Sequence, residues 1–258
     1  MINLPLDFAR PPVHTMRGAK HFFTLSPELF CSVDAFLRAN GTTSYRALCA
    51  VFHLLLRCYS GSKDISLGTP CASRCRGIEN LIGFFVNTVV LRIDSSDDPS
   101  FRKLIRRVDA ALHGAISHSE LPFNKIVEAV QPPRDASRTP LFQINFRALQ
   151  QPYPRPEMSG LGAGAVEVLD NGTSRFDLAI EIGQFVGEAN YLEYCSDLFR
   201  EQTILEMEQD FLGLLGGLIA QPDVALNQLA IVKEISARSE RRSAAALFPA
   251  GTAVPSRH

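Results

Sequence analysis

The chain has 258 residues, of which 46% are hydrophobic and 21% are charged, and its 26 basic side chains nearly balance its 27 acidic ones. This length and apolar content support a full hydrophobic core and exclude intrinsic disorder, which requires low hydrophobicity and high net charge. A net charge of −1 also disfavours a general nucleic-acid binder, because such proteins carry a surplus of Lys and Arg that neutralises phosphates.

Helix and strand signals can be followed along the first half of the chain. Residues 1–20 are proline-rich and predict an irregular linker. Ser26-Pro27 begins a helix that ends at Gly41, and Ser44 is predicted to cap a second helix that ends near Ser60-Gly61. The elements predicted next are strands over residues 65–68 and 81–93, and helices beginning at Pro99-Ser100 and at Pro122.

The second half is richer in predicted strands, which cover residues 141–148, 166–169, 176–182 and 188–194. Residues 150–165 contain several prolines and glycines and predict a loop. Asp197 is predicted to cap a long helix that ends at Gln221-Pro222, and the chain from residue 233 is aperiodic and predicts a tail. Helices and strands mix without strict alternation, which predicts an α/β two-layer sandwich with a mixed sheet and helices packed on it.

The apolar run over residues 81–92 predicts a particular kind of strand. Gly83, Phe85 and Asn87 lie on one face and Thr88 lies on the other, and both faces are largely apolar. We therefore expect a central strand that is covered on both sides. Asn87 interrupts the run, and a buried amide without partners would cost about 1–3 kcal/mol.

Membrane, export and metal-binding classes are not indicated. The longest apolar runs fall short of the roughly 20 residues that span a bilayer. Pro5 and Asp7 stand where a signal peptide would carry a basic end and an apolar core. We interpret the six cysteines as reduced thiols of a cytoplasmic protein, and Cys71 and Cys75 lack the second Cys or His pair of a zinc site.

General catalytic motifs are missing from the sequence. There is no G-x-S-x-G elbow, no phosphate loop and no dinucleotide-binding G-x-G-x-x-G, and no two histidines have metal-ligand spacing. We therefore expect no metal and no cofactor bound directly.

Three segments are more specific. They are Ile82-Gly83-Phe84-Phe85-Val86-Asn87-Thr88, then His118-Ser119-Glu120-Leu121-Pro122-Phe123-Asn124, then Arg134-Asp135-Ala136-Ser137-Arg138-Thr139-Pro140-Leu141-Phe142-Gln143. Their order and spacing resemble the last three signature motifs of condensation domains from nonribosomal peptide synthetases. Gly68-Thr69-Pro70, followed by Arg74, resembles the stretch that precedes the first of them. The second motif departs from the usual His-Gln-Asp pattern at Ser119 and Glu120.

The resemblance covers only the C-terminal half of that family. Its catalytic motif, two adjacent histidines followed by Asp-Gly, belongs to the N-terminal half, and this chain has no His-His pair. The resemblance implies a half-domain similar to chloramphenicol acetyltransferase, with residues 21–232 as the C-terminal lobe. Residues 1–20 would lead into the lobe, and residues 233–258 resemble the linker to an adenylation domain. A lobe without the histidine pair is expected to be inactive alone and to contain no catalytic residue.

Site residues follow from the resemblance. Arg74, Asn87 and Thr88 would position substrates along the tunnel between the two lobes. The other motif residues would have structural roles, and they are Gly83, Phe85, His118, Pro122, Phe123, Arg134, Asp135 and Arg138. For Asn87 the alternative is an amide satisfied by a neighbouring loop, and for Arg74 it is a solvated loop arginine. A tunnel-facing Asn87 should tolerate replacement by Ala with folding nearly intact.

The implied partners are the N-terminal lobe, carrier domains that deliver substrates on phosphopantetheine, and a neighbouring adenylation domain. The implied role is amide-bond formation in secondary-metabolite or antibiotic biosynthesis, without nucleic-acid or membrane partners. Two other hypotheses remain open. One is a self-sufficient acyltransferase with His118 as general base, and the other is a non-catalytic module that only binds carriers.

Overall fold

A computed structural model describes residues 2–72, 77, 81–148, 168–183 and 190–247, without the side chains of residues 245–247. The strands in these ranges are β1 (Gly18–Phe23), β2 (Asp64–Ala72), β3 (Val86–Asp94), β4 (Ile144–Ala148), β5 (Leu178–Ile182) and β6 (Asn190–Cys195). The helices are α1 (Pro27–Asn40), α2 (Ser44–Ser60), α3 (Phe101–Ser117), α4 (Phe123–Val130), α5 (Glu201–Ala220) and α6 (Ala230–Leu247).

The strands form one sheet in the order β1-β6-β5-β4-β2-β3. Strand β4 pairs in parallel with both β2 and β5, and the other pairs are antiparallel. The mixed sheet with helices packed on it confirms the predicted α/β class.

Helix α2 runs through the core, and all its residues from 47 to 59 are buried. Its ends follow from local chemistry, since the Thr43 hydroxyl accepts a hydrogen bond from the Arg46 amide and Gly61 adopts a left-handed conformation with φ +70°. The predicted cap at Ser44 is therefore wrong by one residue. The predicted ends of α1 are confirmed, because the Ser26 hydroxyl caps Leu29 and Gly41 has φ +56°.

The two faces of the sheet have different neighbours. Thr69 faces the helices, because its hydroxyl accepts a hydrogen bond from the Tyr45 hydroxyl of α2 at 2.8 Å. Gly68 therefore faces the other way, which we call the second face. A Cβ atom at Gly68 would lie 2.0 Å from the Phe142 ring, so only glycine lets that ring cover the strand.

Strand β3 corrects the expectation of a central strand. It lies at the edge of the sheet and pairs only with β2 among the described residues, and residues 81–85 are not in a strand. Val89, Leu91 and Ile93 are buried on the helix face, but Val86 on the second face is 46% exposed. Apolar composition does not reveal whether a strand has a neighbour on each side, so the position was predicted wrongly.

Two predictions in the C-terminal part are also wrong. Helix α5 begins at Glu201 without a side-chain cap, so Asp197 does not cap it. The predicted aperiodic tail is largely helix α6, in which Val232, Ile235 and Ser239 are buried. The predicted loop over residues 150–165 lies outside the described residues, as do residues 166–167 and 248–258. Residues 168 and 169 are not in the predicted strand.

The N-terminal stretch is irregular to residue 16, as predicted, but β1 already begins at Gly18. The stretch packs against the body of the fold. Ile2 and Leu4 are buried with the core, and the amides of Asp7 and Phe8 both donate to the Leu198 carbonyl.

A buried imidazole lies under the β2–β3 end of the core. His53 on α2 has no exposed surface, and its Nε2 atom lies 3.1 Å from the Ser95 hydroxyl. Arg57, one turn along the helix, pairs with Asp98. Burial, and secondarily the nearby Arg57 charge, lowers the pKa of His53 to about 3. His53 is therefore neutral in the folded protein at pH 7.

In the described ranges no helix is long and apolar enough to cross a membrane.

Candidate functional site

The Asn87 carboxamide joins the start of β3 to the segment between α3 and α4. Its Nδ2 atom donates to the carbonyls of Ser119 and Leu121, each at 2.8 Å. Its Oδ1 atom accepts from the amide of Phe123 at 3.2 Å and from that of Thr88 at 2.9 Å. Of the two alternatives for this amide, satisfaction by a neighbouring loop is the one that the structure contains.

These contacts reverse the expectation that Asn87→Ala leaves folding nearly intact. We expect Asn87→Ala to lower the free energy of unfolding by about 2 kcal/mol, because several backbone groups lose their partner. The control is Thr88→Ala, which removes the next side chain along β3 and should cost less than about 1 kcal/mol. Urea unfolding of both variants measures the difference. Equal losses would contradict the bracing role of Asn87.

The other predicted tunnel residues lie in different places. Thr88 is half-buried and points to the second face, opposite Asn87. Arg74 lies outside the described residues. Gly83 and Phe85 precede β3, and a Cβ atom at Gly83 would lie 2.8 Å from the Phe85 ring. The structure thus brings Asn87 together with the second motif, and it separates Asn87 and Thr88 by face.

His118 ends helix α3. Its Nδ1 atom lies 2.8 Å from the Gly114 carbonyl one turn back, so this nitrogen carries the proton and donates it. The ring is exposed, and no carboxylate pairs with it among the described residues. These contacts are those of a helix-terminal residue, and they lack the carboxylate that would orient a general base.

Pro122 and Phe123 place an aromatic cluster on the second face. Pro122 precedes the first residue of α4, with extended backbone angles. The Phe123 ring packs edge-on against Phe142 at 5.6 Å, and Phe142 packs against Phe176 at 5.5 Å. Because Phe142 covers Gly68, this cluster links the second and third motifs to β2.

The third motif is a hydrogen-bonded loop. The Asp135 carboxylate accepts hydrogen bonds from the Ser137 amide at 2.8 Å and from its hydroxyl at 2.6 Å, which holds the pKa of Asp135 below its usual value. Arg138 lies 3.6 Å from Asp135. Arg134 and Arg138 line a groove of about 910 Å³ between this loop and α4.

A buried ion pair anchors that loop, and sequence reasoning missed it. The Arg10 guanidinium binds Asp177 through both carboxylate oxygens, at 2.9 and 2.5 Å, and also donates to the Ser137 carbonyl at 3.1 Å. The side chains are only 14% and 7% exposed. No local pattern signalled this contact, because the paired residues are 167 positions apart.

A second missed group lies on the second face of β1, β6, β5 and β4. Arg147 is within 3.4 Å of both Glu181 and Glu193, and Lys20 lies 3.9 Å from Glu193. The Arg147 guanidinium also lies over the Tyr191 ring. Alternating charged residues on these short strands were the available signal. The opposite charges balance one another, and no three of the described His, Cys, Asp and Glu side chains cluster to hold a metal ion.

Comparison with known proteins places this arrangement in a family. A family profile described as "Condensation domain" matches residues 1–239. Among curated proteins, one of the linear gramicidin synthases of Brevibacillus parabrevis is 36% identical over 237 residues, covering 91% of this chain and 5% of the relative. Surfactin synthase subunit 2 of Bacillus subtilis (strain 168) is 33% identical, covering 90% of this chain and 6% of the relative. The chain thus spans about one-twentieth of the length of these relatives.

Solved structures show the same fold. A four-domain nonribosomal peptide synthetase bound to AMP and glycine matches with a TM-score of 0.81 and 27% identity, over 90% of this chain and 19% of that one. The X-domain from teicoplanin biosynthesis matches with a TM-score of 0.80 and 24% identity, over 88% of this chain and 53% of that one.

Proposed function

The chain belongs to the condensation domain family, and from this membership we propose that it is the C-terminal lobe of a condensation domain in nonribosomal peptide synthesis. The intact domain would form amide bonds between carrier-tethered aminoacyl and peptidyl thioesters. The observation that carries the proposal is the presence, in order, of the three later motifs without any adjacent pair of histidines. The match to about half of the X-domain chain is consistent with one lobe of two.

The reaction requires a group that this lobe lacks. The acceptor amine attacks the donor thioester carbonyl, so that a C–N bond forms and the C–S bond breaks. The amine loses a proton, and the departing thiolate gains one. In the proposal, the paired histidines of the N-terminal lobe assist the amine, and this lobe supplies tunnel wall and carrier-docking surface. Phosphopantetheine arrives on the carriers as part of the substrates.

The tunnel roles follow the two faces of β3. We propose Thr88 as a wall residue, because it points to the second face. We propose that Asn87 acts on the tunnel indirectly, by holding the segment from Ser119 to Phe123 in place. Arg74 remains a proposed substrate-positioning residue. We also propose an adenylation domain as the partner that follows residue 233, and a cytoplasmic location for the assembly.

The activity of the purified chain tests the proposal. Incubated with acyl-loaded donor and aminoacyl-loaded acceptor carriers, the chain alone should give no condensation product above background. Addition of a separately expressed N-terminal condensation lobe that retains the histidine pair should restore product, measured by mass spectrometry of the acceptor carrier. The control is the same lobe with both histidines replaced by alanine, which should give none.

Two outcomes would support the other hypotheses. Steady product from the chain alone, lost on His118→Ala, would establish a self-sufficient acyltransferase and overturn the half-domain hypothesis. Carrier binding with no product in any lobe combination would favour a non-catalytic carrier-binding module. The exposed, helix-terminal position of His118 argues against the first of these.

A further inference from the structure

Helix α6 is held to the fold by polar contacts as well as by apolar packing. Arg238 binds both carboxylate oxygens of Asp210 on α5, and that carboxylate also accepts from the Tyr59 hydroxyl at 2.7 Å. The Ser239 hydroxyl donates to the Tyr59 carbonyl at 2.8 Å. These contacts fix the rotation and register of α6 against α2 and α5.

The next turn of α6 binds the N-terminal stretch. Arg242 donates to the Asp7 carboxylate and to the Thr203 hydroxyl, and it lies 3.1 Å from Glu206. The other oxygen of Asp7 accepts from the Arg200 amide at 2.8 Å and from the Thr203 hydroxyl at 2.6 Å. Asp7 thus bridges the start of α5 and the far part of α6.

Asp7 is suited to hold a permanent charge there. Its side chain is only 9% exposed, and burial alone would raise the pKa of its carboxyl group. Hydrogen bonds from Thr203, from the Arg200 amide and from Arg242 outweigh burial and keep that pKa below its usual value. Loss of Arg242 would leave this carboxylate without its cationic partner.

We propose that α6 and residues 2–10 form one coupled docking unit, in which each element stabilises the docked position of the other through the Asp7–Arg242 contact. Two elements that share a contact stabilise one another reciprocally, so undocking of either one loosens the other. Movement of α6 would thereby be transmitted across the lobe to residues that are more than two hundred positions earlier in the chain. This inference does not depend on the proposed catalytic function.

Amide hydrogen exchange on the full chain tests the coupling. Arg242→Gln should raise exchange of the Asp7 and Phe8 amides, which donate to the Leu198 carbonyl, by about tenfold. Reciprocally, Asp7→Asn should raise exchange in α6 beyond residue 235. The matched control is Arg241→Gln, because Arg241 is an exposed neighbour without an ion pair among the described residues.

Exchange in β5 should stay unchanged in every variant, which shows that the fold is intact. If β5 also loosens in Arg242→Gln, the milder Arg242→Lys replaces it, and the same two-way comparison applies. Increased exchange confined to the mutated element, with the other element unchanged, would overturn the coupling. An equal response to Arg241→Gln would overturn the assignment to Arg242.

Discussion

Asp177→Ala is expected to lower the free energy of unfolding by about 3–5 kcal/mol, the loss found when one partner of a buried ion pair is removed. Arg10 would keep its charge inside a site where its side chain is only 14% exposed. The loss should be accompanied by loosening of the Ser137 loop, because Arg10 also donates to the Ser137 carbonyl. Urea unfolding at pH 7 measures the first effect.

The control for Asp177→Ala uses the same chemistry at the surface. Asp64 binds Arg92 at 2.6 Å, but the two side chains are 39% and 75% exposed. Asp64→Ala should therefore cause a much smaller loss, because exposed ion pairs contribute little. Similar losses for the two variants would show that burial does not determine the contribution of the Arg10–Asp177 pair.

The second large effect is an acid-dependent loss of stability that depends on His53. Its pKa is about 3 in the folded protein, against about 6.5 in an unfolded chain. Below pH 6.5 the unfolded state binds a proton that the folded state does not, so stability falls as the pH falls. The slope attributable to His53 should approach about 1.4 kcal/mol per pH unit until the pH nears 3.

Other groups act on His53 and also titrate in acid. Arg57 lowers the pKa of His53, whereas Asp64 and Asp94 act in the opposite direction with smaller effect. The measurement is therefore a difference, namely the stability of the wild type minus that of His53→Gln at pH values from 7 to 4.5. A pH-independent difference would show that His53 is not the titrating group.

Elements with strong local chemistry could be predicted from the sequence. Ser26-Pro27, Gly41 and Gly61 define helix ends through caps and left-handed conformations, and the structure has these ends. Helix α6 was missed for a physical reason. Its docked side uses Arg238, Ser239 and Arg242, so the hydrophobic spacing that signals a buried helix is weak.

The candidate site divides in the same way. The sequence singled out Asn87, because an amide within an apolar run needs partners. It could not identify those partners, since Ser119 and Phe123 lie more than 30 positions away. The charged group around Arg147 and the Arg10–Asp177 pair depend on strand order. That order sets which distant side chains meet, and no local pattern encodes it.

The edge position of β3 has a consequence for handling the protein. An unpaired strand edge is a template on which another chain can add a strand, which is a common route to aggregation. At one end of β3 the exposed Val86 follows the exposed Phe84, so nothing repels an incoming apolar strand. At the other end, Arg92 paired with Asp64 provides charged gatekeepers. Intermolecular sheet growth would therefore begin at the Val86 end, and a charged residue introduced there should keep the chain in solution.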